Sequence, residues 1–423
     1  MSLRVAVPAR LTRARLVTLL GPAFVAAIAY VDPGNVAANL TAGSRYGYLL
    51  LWVLVVANVM AVLVQYLSAK LGVVTGRSLP EVLGTSLRRP ARLAYWAQAE
   101  VVAAATDLAE VVGGAIALRL LFGVPLVLGG VLTGLVSLVV LSVQQRRGQR
   151  VFEGVVVSLL LVLTVGFCAG LLFAPPDAGA ALGGLVPRFE GTNSLLLAAS
   201  MLGATVMPHA IYLHSALARD RRNHDTQARR RQGVPVTEAS TRRLLTATRW
   251  DVACALVLAG GVNVAMLLVA ARNLPGRAGT DTIEGAHAAI ASAVGPVVAL
   301  LFAVGLLASG LASSSVGAYA GAEIMSGLLR VRVPLVGRRI VTLVPAVVLL
   351  ATGVSPTWLL VVSQVVLSFG IPFAAVPLVT LTRRASLLGE HRNATGTQVL
   401  AWVVAGVIVV LNVTLLGLTV ARI

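Results

Sequence analysis

The sequence predicts an all-α polytopic membrane protein of eleven transmembrane helices, built as two inverted five-helix repeats whose first and sixth spans are broken. Three observations lead there. Of 423 residues, 57% are hydrophobic and only 12% charged, and the mean hydropathy is +0.89, so lipid rather than water is the solvent of most of the chain. Apolar runs of about 20 residues, each long enough for roughly 30 Å of hydrocarbon, recur from end to end. Two of these runs, five spans apart, carry a proline beside polar residues at their middle.

The runs cover residues 17–42, 48–69, 94–118, 122–142, 153–173, 194–217, 250–271, 296–318, 340–354, 358–381 and 397–419. With the N-terminus in the cytoplasm, 28 of the 34 Lys and Arg residues fall in inside segments and 6 outside. That asymmetry fits a multi-pass protein of the plasma (inner) membrane with its C-terminus on the far side. The first run holds an acid and no small-residue cleavage site follows it, so no cleavable signal peptide is expected. The chain then reads as one membrane domain, with repeats at 17–173 and 194–381 and an added span at 397–419.

The net charge of +18 is spread over short loops, which argues against nucleic acid as a partner. Lys70 is the only lysine, and no function follows from the arginine excess. Cys168 and Cys254 lie within apolar runs, so neither a disulfide nor a thiolate metal site is expected. The basic stretch 219–249 reads as a partly disordered cytoplasmic loop. Residues 281–293 read as a short external helix.

The breaks are Tyr30-Val31-Asp32-Pro33-Gly34-Asn35 in span one and Thr205-Val206-Met207-Pro208-His209 in span six. Proline removes a backbone donor, so carbonyls near Ala29 and Ala204 are expected to lack helical partners. In hydrocarbon such groups need a partner, and a cation can supply one. Matched breaks five spans apart are the pattern of inverted repeats with a midplane site. A carboxylate at bilayer depth costs at least ~2.5 kcal/mol, and span one offers no basic residue to pair with Asp32. Asp32 and Asn35 supply hard oxygen ligands. Met207 is by default a core filler, but opposite Asp32 its soft thioether would favour transition metals over calcium or magnesium.

A second polar track runs through span three, where Glu100, Asp107 and Glu110 share one helical face. Structural ion pairs with Arg338 and Arg339 are one explanation; a proton path is the other. His209 and His214 could extend such a path, although a buried histidine is often only structural. Asn58, Asn263, Gln364 and Glu323 read as interhelical hydrogen bonders, with Gln364 the best exception because it sits mid-span in the tenth helix.

The two break motifs resemble the signatures of the Nramp (natural resistance-associated macrophage protein) divalent-metal transporters. The resemblance covers nearly the whole chain, extending to Ala-Thr-Asp-Leu-Ala-Glu at 105–110, the Gly-Ala-Thr-Val before Met207 and the pair Arg338-Arg339. It implies a LeuT-like fold and proton-driven import of Mn2+ or Fe2+ by alternating access, with Co2+, Zn2+ and Cd2+ as further substrates. By the same resemblance Asp32, Asn35 and Met207 bind metal with the carbonyls of Ala29 and Ala204, and Gln364 and Asn58 approach it during the cycle. Asp107, Glu110 and His209 carry or tune the proton route, with Glu100, Arg338 and Arg339 as partners. No prosthetic group and no obligate protein partner are expected beyond metal ions, protons and the bilayer.

Rival readings are an amino-acid or Mg2+ transporter of the same fold, a metal-permeable channel, and an intramembrane enzyme. Asp32 would repel a substrate carboxylate, and the magnesium-transporting relatives resemble this pattern but lack the methionine. No His-Glu-x-x-His motif supports an enzyme. A channel differs by its lack of saturation and proton coupling.

Overall fold

The structure is a computed structural model that describes residues 21–277, 279–280, 282–331 and 334–420; residues 17–20 of the expected first span and Asp281 lie outside the described residues. In chain order the helices are α1 (Pro22–Ala27, continued by a 3-10 turn Ile28–Val31), α2 (Pro33–Tyr46), α3 (Leu51–Thr75), α4 (Leu79–Ser86), α5 (Arg89–Phe122), α6 (Leu126–Arg147), α7 (Gln149–Phe173), α8 (Ala178–Gly183) and α9 (Gly191–Thr205). They continue as α10 (Pro208–Arg231), α11 (Glu238–Asn273), α12 (Ile283–Ala293), α13 (Pro296–Leu329), α14 (Leu335–Ala351), α15 (Pro356–Arg383), α16 (Ala385–Leu388) and α17 (Thr395–Val420).

Among the described residues 8 helices are long and apolar enough to cross a membrane, with 191–231 taken as one. The other three expected spans are the split Pro22–Tyr46 and the shorter α6 and α14. Among the described residues each expected span coincides with a helix or, in span one, with the split pair α1 and α2, although several helices run past the apolar run that foretold them.

Prolines mark the two breaks, although Pro345 in α14 and Pro372 and Pro377 in α15 sit inside unbroken helices. Pro33 and Pro208 each stand at the first position of a new helix, where the missing N–H has no partner to lose. A proline kept inside a continuous helix would cost ~3 kcal/mol. The chain therefore stops α1, extends at Asp32 (φ −74°, ψ 166°) and restarts. It does the same between α9 and α10 at Met207 (φ −81°, ψ 128°).

Helix α13 packs along α5 and α7, α10 along α3, and α11 along α2 and α3, while α17 lies against α15 and α9. Several crossings bring backbones into direct contact. A Cβ on Gly310 would stand 2.9 Å from the Gly114 nitrogen, and one on Gly166 would stand 2.8 Å from Gly305 Cα. In lipid, where apolar burial gives no net drive to helix association, such small-residue contacts supply the packing. Large apolar side chains such as Val101, Leu172, Val257 and Val410 point outward, as lipid-facing residues do.

The stretch 219–249 departs from expectation. It is not a disordered loop: α10 runs on to Arg231, α11 begins at Glu238, and only 232–237 separate them. Ion pairs one helical turn apart, Arg229 with Asp225 at 2.7 Å and Arg242 with Glu238 at 3.1 Å, support the two ends. Arg219 ties the base of this hairpin to Glu81 of α4 at 2.8 Å and Glu323 of α13 at 3.1 Å. Polar composition masked these local pairs.

Candidate metal centre between the broken helices

Asp32 is the N-cap of α2, and this decides where its carboxylate points. Its Oδ1 accepts the Asn35 backbone N–H at 2.8 Å and the Asn35 side-chain amide at 2.7 Å, satisfying one of the orphan donors at the start of the helix. The same Asn35 Nδ2 donates to the Ala204 carbonyl at 3.0 Å. One asparagine thus joins the two breaks. The Ala204 carbonyl, expected to be free, is partnered by this bond, because the last turn of α9 lies against α2.

In span one the partners come from other helices. Asn263 of α11 donates to the Tyr30 carbonyl at 2.7 Å, and Ser309 of α13 donates to the Val31 carbonyl. Ala29 is fully buried in the 3-10 turn before them. Met207 is fully buried at the start of α10, within the same apolar cluster as Ala29, Tyr30 and Val31.

Gln364 of α15 comes to the break from a third direction. Its carboxamide occupies the space that a side chain on Gly34 would fill, and it approaches Asp32. No geometrically sound hydrogen bond among the described residues reaches Asp32 Oδ2, Gln364 Oε1 or Gln364 Nε2. Pro33 is seated against Gly113 of α5, where a Cβ would overlap the proline ring. Asn58 does not join this group in the structure; it packs on Gly260 of α11.

The acids of span three divide. Asp107 forms an ion pair with the fully buried Arg339 at 2.7 Å but accepts no well-formed hydrogen bond among the described residues, and Arg339 donates to Ser137 at 3.0 Å and to Ser314. Glu100 pairs with Arg338 at 2.9 Å. Both therefore make the ion pairs weighed in the sequence. Glu110, fully buried beside Asp107 and Gly317, makes neither a well-formed hydrogen bond nor an ion pair of its own among the described residues.

The two histidines serve different neighbourhoods. His209 Nδ1 lies 3.4 Å from the Thr106 hydroxyl. That hydroxyl gives its own proton to the Val102 carbonyl, so the ring donates from Nδ1, and its buried Nε2 is left as an acceptor without a partner among the described residues. His214 donates from Nδ1 to Gln65 Oε1 at 2.7 Å, and Gln65 Nε2 donates to the Tyr30 hydroxyl at 2.7 Å. The chain His214–Gln65–Tyr30 closes the space between α10, α3 and the 3-10 turn. At the start of α1, Asp251 accepts the backbone N–H groups of Gly21 at 3.0 Å and Ala23 at 3.2 Å and pairs with Arg221 at 3.3 Å.

The family model described as natural resistance-associated macrophage protein-like matches residues 23–418. The chain belongs to the Nramp family. Its relatives include the divalent metal cation transporter MntH of Mycobacterium tuberculosis (strain CDC 1551 / Oshkosh), 62% identical over 402 residues, which are 95% of this chain and 92% of that protein. Among solved structures, the Eremococcus coleocola manganese transporter, in complex with an aromatic bis-isothiourea substituted compound, superposes with a TM-score of 0.85 at 29% identity, covering 96% of this chain and 88% of that one. MhsT in complex with L-phenylalanine is alike in fold alone, with a TM-score of 0.61 at 13% identity over 93% of this chain and 98% of that one. The fold of this Nramp chain is thus LeuT-like.

Sequence reasoning passed over Ser309, Gln65 and Asp251, named Tyr30 only as part of the break motif, and read Asn263 only as a generic interhelical bonder. Asn263 accepts from Asn39 at 2.8 Å while donating to Tyr30, and with Gln65, Ser309 and Gln364 it lines this break with polar side chains from four further helices. A serine or glutamine inside an apolar run carries little signal alone. The available clue was the unmet carbonyl at the break, which demands a donor from somewhere.

Proposed function

We propose that this Nramp protein imports divalent transition-metal ions, Mn2+ and Fe2+ foremost and Co2+, Zn2+ and Cd2+ as further substrates, together with protons, by alternating access around Asp32. One observation carries the reading: the two breaks meet through Asn35 and Ala204, 3.0 Å apart, while the buried Asp32 keeps one carboxylate oxygen without a well-formed hydrogen bond. An anion at bilayer depth is offset most directly by a cation. The names of the relatives and neighbours point the same way.

In this reading Asp32, Asn35 and Met207 hold the metal, assisted by the carbonyls of Ala29 and Ala204, and Gln364 and Asn58 approach it at different stages. To offer its oxygen, Asn35 must turn its amide away from Asp32 and Ala204. The ion therefore competes with the bond that ties α2 to α9, which links binding to movement of the two breaks. Met207 supplies the softness that disfavours calcium and magnesium. Asp107, Glu110 and His209 carry the proton, with Glu100, Arg338, Arg339 and His214 holding the route in shape. The protein sits in the plasma membrane with its N-terminus in the cytoplasm, and the repeats are 17–173 and 194–381.

Uptake of Mn2+ into proteoliposomes at two pH values tests this. Asp32→Ala should abolish uptake, acidifying the outside should drive it, and Met207→Ala should admit Ca2+. Unchanged calcium rejection in Met207→Ala would sink the softness argument.

A further inference from the structure

Gly34 stands in the first turn of α2, and its φ is not positive. Backbone conformation therefore does not ask for glycine there. In a helical conformation alanine is favoured over glycine by ~1 kcal/mol, so the missing side chain needs another reason. The surroundings give one. A Cβ built on Gly34 would run into the Nε2 and Cδ atoms of Gln364 and would also lie 3.2 Å from Asp32 Oδ2. The space beside the α2 backbone is taken by a carboxamide that comes from α15, a helix more than 300 residues away in sequence and packed along α5. Asp32 Oδ2 and both ends of the Gln364 amide, which lie at this space, make no well-formed hydrogen bond among the described residues. Because α2 restarts at Pro33, and Pro33 is itself seated on Gly113 of α5, α2 has no room to back away from an intruding methyl group.

We infer that Gly34 is a positioning residue: the side chain it lacks is what admits the Gln364 carboxamide to the Asp32 carboxylate, and so sets how closely α15 shuts over the ion. The inference rests on the metal-transport reading for its consequence, but not for its steric core.

The test is a double-mutant cycle on the full chain with Gly34→Ala, Gln364→Ala and both together. Mn2+ uptake into proteoliposomes is measured with KM and Vmax separated, beside thermal melts in detergent without metal. Each single variant should raise the KM for Mn2+ about tenfold, the loss of one good polar contact. The double should be no worse than Gln364→Ala, because without the carboxamide the new methyl meets only Asp32. In the melts Gly34→Ala should lower the Tm of the wild type but not that of Gln364→Ala. Additive effects on KM, or a double variant that melts as far below Gln364→Ala as Gly34→Ala melts below wild type, would overturn the inference. If Gly34→Ala alone fails to fold, recovery of folding in the double supports the steric pairing, and continued failure refutes it. Absence of wild-type Mn2+ uptake would instead strike the transport reading, leaving the melts to decide the pairing.

Discussion

Replacing Arg339 by leucine should be among the most damaging single changes outside the breaks. The guanidinium is fully buried, with one amino group 2.7 Å from Asp107, the other donating to Ser314, and Nε donating to Ser137. Glu110 shares the same neighbourhood. Removing one member of a buried pair leaves the other charged and unmatched, which costs about 3–5 kcal/mol. Asp107→Asn should cost a similar amount by stranding the arginine. The double variant Arg339→Leu with Asp107→Asn removes both charges, so its loss should fall short of the sum by about 2–3 kcal/mol, the upper part of the roughly 0.5–3 kcal/mol coupling of groups in contact. Unfolding in detergent, followed by heat and by denaturant titration, measures all three. Pairwise additivity would refute the claim that these two residues satisfy each other. A second readout separates stability from transport: if Asp107 lies on the proton route, the double should fold but lose the dependence of Mn2+ uptake on external pH.

Three further changes probe the centre. Asn35→Ala deletes the bond to Ala204 and one proposed ligand; uptake should fall more than a hundredfold, and a variant that retains a tenth of wild-type Mn2+ uptake would contradict the role. Gly113→Val should drive Pro33 off α5 and abolish transport while the protein still reaches the membrane, as judged by surface labelling and uptake together. Asp251→Asn weakens the cap on α1 and unbalances Arg221; a cysteine introduced near Ala23 should then react faster with a membrane-impermeant thiol reagent applied from the cytoplasmic side, and an unchanged rate would mean that the cap does not restrain α1.

The sequence carried the order of the spans because lipid leaves only helices and closed barrels for backbone polar groups, and apolar runs of about 20 residues are helix length, not strand length. It carried the breaks because Pro33 and Pro208 stand beside polar residues, unlike Pro345, Pro372 and Pro377, which stay inside unbroken helices. The hairpin of α10 and α11 was misread because composition speaks to burial, whereas Asp225–Arg229 and Glu238–Arg242 act through spacing. The third wall of the centre stayed hidden for another reason. That Gln364 meets Gly34, that Ser309 serves Val31 and that Asn58 faces Gly260 are facts of helix rotation, and rotation is set by contacts between residues far apart in the chain. The span-three acids were ambiguous because both explanations require the same residues on the same face; only the position of Arg338 and Arg339 distinguishes the paired acids from Glu110.

The close crossings at Gly114–Gly310 and Gly166–Gly305 make the chain's tolerance of substitution lopsided. A valine that faces lipid, such as Val101 or Val410, can exchange with leucine or isoleucine at little cost, since hydrocarbon accepts each alike. At the crossings a single added methyl would have to wedge two backbones apart, and a wedge at one point tilts the whole length of α13 against α5 and α7. A deep mutational scan should therefore find intolerant glycines far from any chemistry, grouped by crossing point and not by depth in the membrane.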